Sequence, residues 1–232
     1  MVSALNQNDL RVVMDVVYNH AASSGQDDKS VLDKVVPGYY FRYTTDGALY
    51  NSSCCSDTAS EYAMLEKLMI DTLARWATDY KVDGFRFDLM NLHTKQNMLD
   101  VQTALNAIDP DIYLYGEGWD FGSAMSKGLT TCPNCYAQQA NMGGTGIGLF
   151  NDKIRDAAHG GYSADSTQIR KQGFTNGLSY DWNGYSYSNR DASDLNTAMD
   201  IIRSGLRGSG TDWNGSGSPF TDDPQELSLI HI

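Results

Sequence analysis

Residues 82–117 read VDGFRFDLMNLHTKQNMLDVQTALNAIDPDIYLYGE, and the fold is decided there. The segment 82–88 (VDGFRFD) reads as a strand, 94–108 as a helix closed by Asp109-Pro110, and 112–116 (IYLYG) as a second strand. Strand, helix and strand in so short a span fit one parallel crossover unit. Upstream, 10–17 (LRVVMDVV) is an almost continuous β-branched run, expected to be a strand buried on both faces of a parallel sheet. The polar, Gly/Tyr/Ser-rich stretch 21–57 is too long for an ordinary connection and reads as a functional excursion. A helix follows it. Thr58 and Glu61 are spaced as a capping box, and Tyr62, Leu65, Met69, Leu73 and Trp76 form one apolar stripe. Farther on, 150–158 and 192–206 read as helices. The alternation predicts an α/β fold around a parallel sheet.

The bulk composition narrows the function classes. At 232 residues the chain can bury one real core, yet falls a little short of a full (β/α)8 barrel of about 250 residues. A net charge of −12 without any basic cluster argues against nucleic acid and anionic membranes, and suits a neutral or cationic substrate. The 14 tyrosines and 4 tryptophans offer flat faces that serve sugars or a core equally well. No apolar run approaches the roughly 20 residues of a membrane span. The opening MVSALNQNDLRVVMDVV lacks the layout of a signal peptide. The glycine run 143–148 (GGTGIG) matches no dinucleotide fingerprint, and no Walker lysine follows it, so it reads as a turn. Cys132 and Cys135 have Cys-x-x-Cys spacing, but no second half-site completes a zinc tetrad; a local disulfide is the favoured reading, with free thiols or metal behind it. Adjacent Cys54 and Cys55 form a vicinal ring or stay reduced. Asp27 and Asp28 would permit structural calcium, yet a solvated loop explains them, and no metal site is assigned.

Three carboxylates occupy similar places. Asp15 lies in DVVYNH, Asp88 ends GFRFD, and Glu117 follows IYLYG. In a parallel barrel the carboxyl ends of all strands point to one face, where catalytic groups gather. Glycoside hydrolysis needs two such acids, one ionised and one carrying a proton. Asp88 suits the nucleophile, since Arg86 two residues earlier shares its strand face and favours the charged form. Glu117, flanked by Tyr115, Trp119 and glycines, is expected in an apolar setting that suits an acid/base. A retaining pair would stand about 5–5.5 Å apart.

Asp15-Val-Val-Tyr-Asn-His20, Gly84-Phe-Arg-Phe-Asp88 and Tyr115-Gly-Glu-Gly-Trp-Asp120 resemble the first three conserved regions of the α-amylase superfamily. The stretches VLDKVVPGYYFR, NSSCCSDTASE, DYKVDGFRFDLM and GTGIGLFNDKIRD are similar to those of its debranching branch, the pullulanases and limit dextrinases. The resemblance spans most of 10–226. It implies Asp88 as nucleophile, Glu117 as acid/base and Arg86 as the arginine holding the nucleophile. It also implies His20 and Tyr18 lining the glucose subsite beside the cleavage point, Trp119, Asp120 and His93 on the substrate side, and Asp15 and Asn19 in structural support. The mechanism requires no cofactor. The implied activity is retaining hydrolysis of α-1,6 links in pullulan, amylopectin and limit dextrins. The alternatives are an α-1,4-acting amylase or neopullulanase-like hydrolase, and a catalytically dead glycan-binding barrel.

Against that pattern the chain matches roughly the third to sixth strands of a (β/α)8 TIM barrel, truncated at both ends. The fourth conserved region, a His-Asp pair, is not found. Residues 1–226 are therefore expected to be an incomplete catalytic barrel domain, inactive and poorly soluble alone. Residues 227–232 (LSLIHI) match one reading frame of a transposase adapter used in sequencing libraries and read as a non-native tail. Bacterial members of the family are secreted or surface-attached and plant members plastidial. The motifs do not choose, and the even cysteine count leans towards the former.

Overall fold

A computed structural model describes residues 1–119, 135–161, 169–184, 192–206 and 228–229. They divide into two compact units, Met1–Met142 and Gly143–Ile232. The first opens with a short helix α1 (Val2–Asn6) and strand β1 (Val13–Val16). After the excursion come helix α3 (Ala63–Tyr80), strand β4 (Gly84–Phe87), helix α4 (Lys95–Asn106) and strand β5 (Tyr113–Gly116). The expected parallel sheet is present: β1 pairs with β4, and β4 with β5, all parallel. Phe85 and Phe87 are fully buried with Leu65, Met69, Leu73, Met98, Val101 and Leu105 of the two helices, and α3 packs on α4. The intervening β4 residue Arg86 points to the opposite face, as the two-residue period of a strand requires.

Two expectations need correction. Strand β1 is shorter than 10–17 and is not buried on both faces: Val13 is 42% and Val17 53% exposed. Among the described residues of this unit β1 pairs with β4 alone, and Val13 and Val17 are left partly uncovered by any packing layer. The Thr58–Glu61 capping box does not form either. Helix α3 starts at Ala63 with Tyr62 as N-cap and no side-chain cap. The Thr58 hydroxyl donates to the Tyr18 carbonyl, while Glu61 pairs with Arg42; tertiary partners outbid the local motif. In contrast Thr94 does cap α4, its hydroxyl accepting from Asn97 N–H at 3.0 Å.

The excursion is a folded loop containing helix α2 (Leu32–Val35) and a two-residue ribbon, β2 (His20–Ala21) antiparallel to β3 (Ser56–Asp57). Two buried carboxylates organise it. Asp33 accepts from Gly25 N–H, Gly38 N–H and Tyr43 Oη–H. Asp57 accepts from Ser52 and from Arg42, whose guanidinium also grips Glu61 through two 2.8 Å bonds. Burial alone lowers the Arg42 guanidinium, but Glu61, Tyr136 and Asp57 outweigh it and leave it raised.

The second unit holds β6 (Gly148–Phe150), parallel to β7 (Ser228–Leu229), and helices α5 (Asp152–His159) and α6 (Ala192–Leu206), which pack together. Helix α5 starts later than 150, because Asn151 caps it by accepting from Ile154 N–H at 3.1 Å and Gly148–Phe150 is strand.

Candidate active site

The site is set by register. Asp15, Arg86 and Tyr115 are Cα partners across β1, β4 and β5, so they stand in one row on one face. Asp88 and Glu117 lie two residues beyond Arg86 and Tyr115, hence on the same face at the strands' carboxyl ends. The ladder continues one step past each strand and fixes both acids: Asp88 N–H donates to Val16 O and Glu117 N–H to Phe87 O, each at 3.0 Å. Gly116 allows this closeness, since a Cβ there would lie 2.5 Å from Phe87 O and 3.0 Å from Met90 Cβ.

One guanidinium joins three carboxylates. Arg86 Nη1 donates to Asp15 Oδ1 at 2.8 Å and to Asp88 Oδ1 at 3.1 Å, while Nη2 donates to Glu117 Oε1 at 2.6 Å. Burial alone lowers the Arg86 pKa, but its bonds to Asp15, Glu117 and Asp88 outweigh that and leave it raised. The arginine is a permanent cation here. Burial pushes the Tyr115 phenol up, partly countered by Arg86, and the Tyr113 phenol up to about 12. The apolar surroundings expected for Glu117 are not what the structure has. Its two oxygens meet Arg86 and the Leu89 N–H, the latter at 3.1 Å.

Asn19 is fully buried, and its amide nitrogen donates to His20 Nδ1 at 2.8 Å and, at 3.4 Å, to Asp88 Oδ2. It therefore couples the β2 turn to Asp88. His20 is half-buried, with Nε2 3.8 Å from Cys54 Sγ. Cys54 and Cys55 form a vicinal disulfide, which resolves the alternatives left by the sequence. With His20 they are a group of three whose ligand atoms converge, but both sulfurs are tied to each other.

Two expected substrate contacts point elsewhere. The Tyr18 hydroxyl bonds Thr72 Oγ1 of α3 at 2.8 Å, and burial pushes its pKa up. It is turned towards the helix layer. His93 is fully buried, and neither ring nitrogen has a hydrogen-bond partner among the described residues. Burial first, then the facing charge of Arg42, pushes its pKa down to about 3, so the ring is neutral. Trp119 is half-buried just past Glu117. Asp120 and Cys132 lie outside the described residues. The sequence reading missed Leu89, whose backbone role has no side-chain signature, and Arg42, a lone arginine in a polar loop.

Paired acids at adjacent ends of parallel strands, bridged by a cation, are the equipment of glycosyl-transfer chemistry. No protein-family profile matches the chain. It is 44% identical over 217 residues to Pullulanase 1, chloroplastic, of Arabidopsis thaliana, covering 89% of the chain and 22% of that protein. It is 39% identical to the pullulanase of Klebsiella aerogenes over 98% of the chain and 22% of the relative. The crystal structure of Klebsiella pneumoniae pullulanase complexed with maltotriose superposes with a TM-score of 0.79 at 37% identity, covering 98% of the chain and 22% of that structure's chain. The chain is homologous to the pullulanases, sharing their sequence and fold along nearly its whole length. It spans about a fifth of the length of the curated relatives it matches.

Proposed function

We propose that this chain supplies the nucleophile and the acid/base of a retaining glycoside hydrolase that cleaves α-1,6 links in pullulan and branched dextrins, within a (β/α)8 barrel. The observation that carries this is Arg86 bridging Asp88 and Glu117 at neighbouring strand ends, in a chain homologous to pullulanases. In the first step Asp88 attacks the anomeric carbon and Glu117 gives a proton to the leaving glycosidic oxygen. In the second, Glu117 takes a proton from water, which displaces Asp88 and restores the original anomer. Arg86 pairs with Asp88 and aims it. Because Arg86 also grips Glu117 at 2.6 Å, that contact has to lengthen when Glu117 carries its proton. Asp15 braces Arg86 from the neighbouring strand, and Asn19 holds His20 beside Asp88. The complex of a relative with maltotriose supports an α-glucan as substrate. No described helix is long and apolar enough to cross a membrane.

The intact gene product, at whatever length it is encoded, is expected to release maltotriose from pullulan. Exchanging Asp88→Asn should lower turnover at least about a thousandfold, as loss of a covalent nucleophile does, while leaving branched-dextrin binding in place. Panose as the product would instead indicate an α-1,4-acting enzyme. Unchanged turnover in the variant would end the nucleophile assignment.

A further inference from the structure

Leu89 follows the assigned nucleophile and occupies a left-handed backbone conformation, φ 37° and ψ 51°. Leucine avoids that region because its Cβ crowds the following carbonyl. Such strain persists where the surroundings over-determine it, and it concentrates at functional sites. The surroundings here are visible. The Leu89 side chain packs against buried Leu92 and Tyr136, and its carbonyl accepts from Leu92 N–H at 2.9 Å. The short 3-10 turn Met90–Leu92 begins immediately after it, and Asn91 N–H donates to Glu117 O at 3.0 Å. The left-handed kink therefore turns the chain back under Glu117. It also aims the Leu89 N–H at Glu117 Oε2, 3.1 Å away.

We propose that Leu89 is a positioning residue for the acid/base: its side chain clamps a strained turn whose N–H holds Glu117 Oε2 and so fixes the orientation of a carboxyl that Arg86 meets at Oε1. Oε1 is the atom on the Arg86 side, where Asp88 is also bound. With one oxygen held by the turn, the carboxyl keeps the orientation in which it gives a proton to the glycosidic oxygen in the first step and takes one from water in the second. The inference rests on Glu117 being the acid/base, as proposed above, and adds how that group is oriented.

The test compares substrates that do and do not need a proton on the leaving group. In the intact gene product kcat/KM is measured for pullulan and for α-maltosyl fluoride, whose fluoride departs without an acid, so that kcat/KM reports the first step alone. Leu89→Ala keeps the steric penalty and removes the clamp. It should lose about 10- to 100-fold on pullulan, the range expected when a catalytic group is misplaced, and stay within about twofold on the fluoride. Leu89→Gly accepts the left-handed turn without a clamp and should lose less than the alanine variant, the reverse of the usual order of glycine and alanine. Leu89→Met keeps the packing and should resemble the parent. The glycine and methionine variants keep the test decisive if the alanine variant does not fold. Equal losses on both substrates, unchanged pullulan hydrolysis, or glycine worse than alanine would each overturn the proposal. Glu117→Gln separates the two readings. If it fails to show the pullulan-only loss, the acid/base assignment itself falls. If it shows that loss and the Leu89 variants do not, only the positioning role falls.

Discussion

His93 sits beside Arg42 in the interior, and its neutrality is tied to folding. Its pKa falls from the ordinary 6.5 to about 3 on folding, through burial first and then the nearby guanidinium. The unfolded chain therefore takes up a proton below about pH 6.5 that the folded chain refuses. The stability held by this residue is complete above that pH and declines as the pH drops towards 3, by at most about 1.4 kcal/mol per pH unit. Thermal melts between pH 6 and pH 4 should accordingly fall less steeply for His93→Gln than for the parent. Parallel curves would mean that the ring is not held neutral. A histidine just past a strand end looked in sequence like a substrate contact. Its surroundings, with Arg42 contributed from a loop far away in the chain, were not legible there.

Among the elements, β5 depends on a missing side chain. Gly116→Ala would drive a Cβ to 2.5 Å from the Phe87 carbonyl, a backbone atom that cannot step aside. The cost should be about 1–3 kcal/mol, as for overpacking elsewhere, read as several degrees of melting temperature. Because Glu117 follows directly, pullulan turnover should fall as well; an unaltered melting temperature would show that β4 and β5 separate easily. The crossover from β4 through α4 to β5 was readable in advance because two strand-like runs flank a helical segment closed by Asp109-Pro110, with an acid at each strand end; the Thr94 cap came only with the structure. Strand β1 misled, since a β-branched run does not say which of its faces a packing layer covers. The Thr58–Glu61 spacing misled because Arg42 claimed the glutamate. Leu89 was invisible: nothing in a leucine announces a left-handed backbone, whereas a glycine there would have.

At the scale of the whole chain the dominant number is its net charge of −12. Towards the proposed substrate, an uncharged α-glucan, that charge offers no electrostatic gain, so the proposal predicts recognition through hydrogen bonds and flat apolar contact. Branched-dextrin affinity, measured on the Asp88→Asn form of the intact gene product, should change by less than about twofold between 50 and 500 mM salt, because screening acts only between charges. A steep salt dependence would point to a charged ligand instead.

The trio of Arg42, Asp57 and Glu61 has a consequence over evolutionary time. The side chain of Asp57 is wholly enclosed, with Arg42 as its cationic partner. A lineage that exchanges the arginine alone leaves an uncompensated anion in the interior, a burden of roughly 3–5 kcal/mol. Drift at one of the three positions is thus tolerated only in company. Among descendants of this sequence the three should be inherited or lost together, as a linked character rather than three independent ones.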